Sequence, residues 1–112
     1  MKKDIVRYIR QNFPVPMSDG EVAQIVGSFM DSFDTCVAQL RAVSDGSDFP
    51  AIRRVTHTIK GFAATVGAND LAALANGLNE AARDADAAAC AVIVGDILKL
   101  HSLYLAELPP FK

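Results

Sequence analysis

Ser18-Asp19-Gly20-Glu21-Val22 opens the stretch that decides the fold, and it runs on to Val43. Ser18 and Glu21 have the spacing of a capping box, in which the hydroxyl accepts from the third amide and the carboxylate reaches back. Apolar residues then recur at Val22, Ile25, Val26, Phe29, Phe33, Val37, Leu40 and Val43. Steps of three and four sustained for more than twenty residues predict a long amphipathic helix. Ser44-Asp45-Gly46-Ser47 is a loop signature that ends it.

The same periodicity extends in both directions. Upstream, Ile5, Val6, Ile9 and Phe13 predict a short helix over about 4–13, stopped by Pro14 and Pro16. Downstream, a helix begins around Asp48 to Pro50 and carries Ile52, Val55, Ile59, Phe62 and Val66, with Gly67 as its C-terminal stop. Asn69 or Asp70 is positioned to cap the next, which carries Leu71, Leu74, Leu78 and Ala81. The last runs from about Asp86 to Glu107, with Val92, Ile93, Ile97, Leu100, Tyr104 and Leu108, closed by Pro109 and Pro110. Gly77 and Gly95 fall inside helical patterns and suggest close helix–helix approach. Four amphipathic helices joined by short loops bury their stripes most simply as an antiparallel up-down four-helix bundle over about 18–108. The short N-terminal helix would cap one end.

Composition agrees with an all-α fold. Eighteen of the 112 residues are Ala, a strong helix former and poor strand former. A chain of this length holds one core, so residues 1–112 are expected to form a single domain. The net charge of −2 argues against general nucleic-acid binding, which needs a basic surface. The longest wholly apolar run, Ala87 to Val94, is far short of the ~20 residues that span a bilayer, so no membrane association is expected. Asp4, Arg7 and Arg10 interrupt any secretory apolar core near the N-terminus, and the cytoplasm is the expected compartment. Cys36 and Cys90 lack metal or redox spacing and read as reduced packing thiols. No zinc site is expected, since the two Cys with His57 and His101 do not offer ligand spacing.

The third helix carries the chemistry. On a wheel its five apolar residues occupy a sector of about 80°. His57 lies roughly opposite, so its imidazole is predicted to stand in solvent near mid-helix. Arg53 and Arg54 lie one turn earlier and Lys60 flanks it. Gly61, Ala64 and Ala68 continue the row as a patch without long side chains. Gly in an exposed helix interior costs up to ~1 kcal/mol relative to Ala, so Gly61 needs another reason, such as close approach of a second macromolecule. His101 has no comparable surroundings and reads as structural or solvent-facing.

The run His57-Thr58-Ile59-Lys60-Gly61, followed by Phe62-Ala63-Ala64-Thr65-Val66-Gly67-Ala68, resembles the histidine-containing phosphotransfer (HPt) domain of bacterial phosphorelays. That motif is His-x-Leu-Lys-Gly, then a small residue, with Gly six positions further. Ile59 replaces the usual leucine, and Phe62 stands where a small residue is usual; the wheel assigns it to the core. Asn79 precedes Glu80 where the family often has an acidic residue after the last leucine. The resemblance implies that His57 accepts a phosphoryl group from the aspartyl phosphate of a receiver domain and passes it to another aspartate. Lys60 would support the phosphoryl charge, and Gly61 would give steric access. Arg53, Arg54, Ala64 and Ala68 would meet the partner, a response-regulator receiver or a hybrid sensor kinase.

No cofactor of its own is implied, because the Mg²⁺ would come with the receiver. The protein would be a monomeric carrier without autonomous kinase or phosphatase activity, free-standing if these residues are the whole gene product. Three alternatives differ in class. A sensor-kinase dimerisation domain would carry an acidic residue directly after its His, where Thr58 stands. A metal-binding bundle would need paired Glu and Glu-x-x-His ligands, which are missing. A non-catalytic helical interaction module with an inert surface histidine remains the main competitor.

Overall fold

The computed structural model describes residues 2–43 and 48–107, and Ser44–Ser47 and Leu108–Pro110 of the expected loop and terminus lie outside them. Within the described residues the chain is all-helical: α1 (Lys2–Asn12), α2 (Asp19–Ala42), α3 (Phe49–Val66), α4 (Asn69–Arg83) and α5 (Ala87–Ala106). Helices α2 to α5 form a four-helix bundle in which α3 packs most closely on α4, α4 on α5, and α2 on both α3 and α5.

Local chemistry sets the ends. The Ser18 hydroxyl accepts from the Glu21 amide at 3.2 Å, and the Glu21 carboxylate accepts from the Ser18 amide at 3.0 Å. That backbone donor holds the Glu21 carboxyl below its usual range. Asp48 caps α3 by accepting from Ala51 N–H, and Asp86 caps α5 by accepting from Ala89 N–H. The α4 start differs from expectation. Ala68 occupies the cap position with no side-chain hydrogen bond, and Asn69 and Asp70 fall inside the first turn. Two residues separate α3 from α4, and the Ala68 amide is already used by the Ala63 carbonyl at 2.9 Å, in the left-handed turn at Gly67. The Asp70 carboxylate instead accepts from the Tyr104 hydroxyl at 3.1 Å, tying α4 to α5.

All five helices share one core. Phe29 and Phe33 of α2 meet Phe62 of α3 and Tyr104 of α5, with ring centroids 5.6 to 5.8 Å apart. His101 is buried in this cluster, edge-on to Phe33, with Nε2 2.6 Å from Asp34 Oδ1. Its role is structural, and the solvent-facing alternative is excluded. Cys36 and Cys90 are buried free thiols, and burial pushes both thiol pKa values up.

Small residues, Ala63 on α3 with Ala75 and Ala82 on α4, are wholly or almost wholly buried in the shared core. The α4 stripe is therefore Leu71, Ala75, Leu78, Ala81 and Ala82, and Leu74 is only half-buried. A periodicity search weighted toward large side chains misses Ala75 and Ala82, because a small residue fills a core position when backbones approach closely.

Helix α1 is bound to the start of α2 by Arg10, which pairs with Asp19 and donates to the Met17 carbonyl at 3.2 Å. The Tyr8 ring covers Gly67, where a Cβ would lie 2.4 Å from ring carbons. Gly67 also has φ +68°, so position and conformation both require glycine. The two mid-helix glycines behave differently from expectation. Gly77 would place a Cβ in ordinary contact, 3.7 Å from Ile93 Cδ1, and Gly95 faces open space. Val92, expected on the apolar stripe of α5, is 65% exposed. Helix α5 as a whole is long and apolar enough by composition to cross a membrane, with fewer than a third of its residues in that window buried.

Candidate functional site

Helix α3 is amphipathic with Ile52, Val55, Ile59, Ala63 and Val66 buried, and Thr56 buried beside them. This orientation carries His57 to the outside, exposed, one turn before the exposed Gly61 and two turns before the exposed Ala64. A Cβ built at Gly61 meets no side chain or neighbouring helix within 4 Å, so no packing among the described residues calls for glycine there. Thr58 and Thr65 flank this strip, and their hydroxyls fold back onto the Arg54 and Gly61 carbonyls of their own helix at 3.2 and 3.0 Å. The outer face therefore lies low over nearly two turns, with the imidazole standing at its edge.

Beside His57, α3 and α4 enclose an open groove of about 800 Å³. The α3 wall is formed by Phe49, Pro50, Arg53, Arg54, His57, Thr58 and Lys60. The α4 wall is formed by Asn79, Ala82 and Arg83. Arg53, Arg54 and Arg83 are exposed and Lys60 is half-buried, so four cations share the groove with the histidine. The nearest acidic group to Arg83 is Asp84, 3.7 Å from Nε, an exposed pair that leaves the guanidinium available. Thr56, fully buried under the groove, donates to the Arg53 carbonyl at 2.8 Å, with Asn79 Oδ1 at 3.3 Å. That contact fixes α4 against the helix that bears His57.

The structure brings His57, Lys60, Arg53 and Arg54 together and leaves Gly61 and Ala64 exposed on the adjoining strip. It does not bring Ala68 there. Ala68 is 2% exposed, because the left-handed turn at Gly67 breaks the helical row and folds the next residue into the core. It therefore offers no docking surface. Arg83, Asn79 and Thr56 were not among the sequence candidates. Asn79 and Arg83 lie one turn apart on α4 and border Ala82. The polar pair at that spacing was visible, but its neighbour across the groove was not. Among the described residues no three of His, Cys, Asp or Glu gather in a way that could hold a metal ion.

The family model for the Hpt domain matches residues 24–107, three-quarters of the chain and the whole of the His57 site. The chain belongs to the Hpt domain family, whose members carry out histidine phosphotransfer in phosphorelays and interact there with receiver domains and kinases. No curated protein and no solved structure gave a significant match.

Proposed function

We propose that His57 is the phosphoacceptor of this domain and shuttles a phosphoryl group between receiver aspartates. The observation that supports it is the exposed imidazole at mid-helix, set between a cationic groove and a low strip centred on Gly61. An imidazole keeps a neutral, nucleophilic fraction near pH 7. A P–N bond forms at His57 as the P–O bond of the aspartyl phosphate breaks and the aspartate leaves as carboxylate. Onward transfer reverses these bonds at a second receiver. Little covalent assistance is needed, because positioning and charge neutralisation dominate phosphoryl transfer.

Lys60 supplies a point charge next to the phosphoryl oxygens. Arg53 and Arg54 attract the acidic face of a receiver, and Arg83 extends that field from α4. Gly61 and Ala64 let the partner's backbone approach. Any Mg²⁺ comes with the receiver, since the residues around His57 on this chain are cationic or neutral. In this role the protein works in the cytoplasm, where ATP-derived aspartyl phosphates are made, and needs neither kinase nor phosphatase activity of its own.

The test is transfer of label from a phosphorylated receiver domain in the presence of Mg²⁺. Label should be acid-labile and base-stable and should be lost in His57→Gln, with the thermal transition unchanged because the side chain is exposed. Label that persists in His57→Gln refutes the assignment. No label from any receiver of the same cell would leave the inert interaction module as the better account.

A further inference from the structure

Helix α5 presents a face that nothing among the described residues covers. Taking Ala88 as origin, Ala88, Val92, Gly95, Asp96, Lys99, Leu103 and Ala106 fall within about 100° of one another. All seven are exposed, with Val92 at 65% and Leu103 at 51%. Asp96 and Lys99 lie midway along the length of this face, with Asp96 at its edge, and make no ion pair among the described residues. Gly95 again offers open space to a Cβ, at an interior helix position where glycine is unfavourable.

The order of these residues is self-complementary. When two copies of α5 cross antiparallel about the point between Ile97 and Leu98, Asp96 of each meets Lys99 of the other. In the same register Val92 of each meets Leu103 of the other, and the bare step at Gly95 makes room for the leucine. A parallel arrangement sets Asp96 against Asp96 and Lys99 against Lys99, so charge selects the antiparallel one. The match is isologous and closes on itself as a two-fold dimer.

We propose that a second copy of this chain docks on this face of α5 through that antiparallel pairing. The interface is small. A 20-residue helix is ~30 Å long, and a strip ~10 Å wide covers roughly 300 Å² per copy, against ~800 Å² for a standard stable complex. The dimer is accordingly weak, forming at hundreds of micromolar, and the monomer expected from sequence is the dilute species. Because α5 packs on α2 and α4, with α3 diagonal to it, both His57 sites stay accessible in the dimer.

Sedimentation equilibrium from about 20 µM to 1 mM tests this, with circular dichroism confirming that each variant folds. The weight-average mass should rise from one chain toward two. Asp96→Lys should abolish the rise, and Asp96→Lys combined with Lys99→Asp should restore it. Equimolar Val92→Cys and Leu103→Cys chains, oxidised together, should form the mixed disulfide in preference to either homodimer. A mass that stays at one chain through 1 mM overturns the proposal, as does a dimer indifferent to Asp96→Lys or a preferred Val92→Cys homodisulfide. Also decisive against it is a monomer that binds phosphatidylcholine–phosphatidylglycerol vesicles through Val92 and Leu103, which would make the face a lipid contact. His57→Gln should dimerise like wild type, so the outcome is independent of the phosphotransfer assignment.

Discussion

Replacing Gly61 separates a docking role from a structural one more sharply than any other change. The residue is at the thirteenth of eighteen positions in α3, exposed, with no atom within 4 Å of a built Cβ. Gly61→Ala therefore removes the helix penalty of glycine without a clash and should stabilise the fold by about 0.5–1 kcal/mol. In a domain of this size that raises Tm by roughly 2–8 °C. Gly61→Gln should also stabilise, by a little less, since Gln is nearly as good a helix former. Its side chain would nevertheless stand on the strip one turn from His57, where a receiver has to approach. Transfer should then slow by tenfold or more, equivalent to ~1.4 kcal/mol or more at the transition state.

Thermal unfolding followed by circular dichroism reads the first effect, and rapid-quench transfer of ³²P from a receiver reads the second. Gly27→Ala is the control, since Gly27 is likewise exposed and open but lies on α2. It should gain similar stability and transfer normally. Stabilised Gly61→Gln with a wild-type transfer rate would refute the docking role. A loss of more than ~1 kcal/mol in Gly61→Ala would show that the glycine serves the fold after all.

Two further outcomes follow from the packing. Gly67→Ala combines a left-handed conformation, ~1–2 kcal/mol, with intrusion into the Tyr8 ring, so the total loss should be about 2–5 kcal/mol; in a Tyr8→Ala background only the first part should remain, and urea titration checks whether the two effects couple. Alkaline pH should also weaken the fold. Burial raises the Cys36 and Cys90 thiols above the ordinary 9.0, and burial with the Asp70 carboxylate raises the Tyr104 phenol above the ordinary 10.0. The folded chain thus keeps protons that the unfolded chain releases, so the contribution of these groups is level below about pH 9 and stability falls as pH rises through these values, by up to ~1.4 kcal/mol per pH unit for each group. Urea midpoints at pH 8 and 10.5 should differ, and less so in Tyr104→Phe; equal midpoints would contradict the burial argument.

Much of the bundle was legible because its determinants are local. The Ser18–Glu21 box, the Asp48 and Asp86 caps and the Gly67 stop each act within one turn, and the three-four spacing of large apolar residues orients α2 and α3. His57 opposite Ile52, Val55 and Ile59 is a consequence of helix geometry alone, which is why its exposure could be foreseen. The same reasoning failed at Ala68, because a helical row was extended across a left-handed residue that ends it. It failed at Val92, and left His101 undecided between structural and solvent-facing, because α5 is apolar nearly all round. Which side of such a helix is covered depends on its neighbours and not on its own periodicity.

The sequence by itself determined the helices, the exposure of His57 and the basic and bare residues along α3, since all of these are set within a few residues of chain. Only the tertiary structure decided that Arg83 and Asn79 of α4 face His57 across a groove, that His101 is buried against Asp34, and that Val92 and Leu103 are left uncovered. Those outcomes depend on how neighbouring helices pack, and small buried residues such as Ala63, Ala75 and Ala82 leave no pattern that one helix alone reveals.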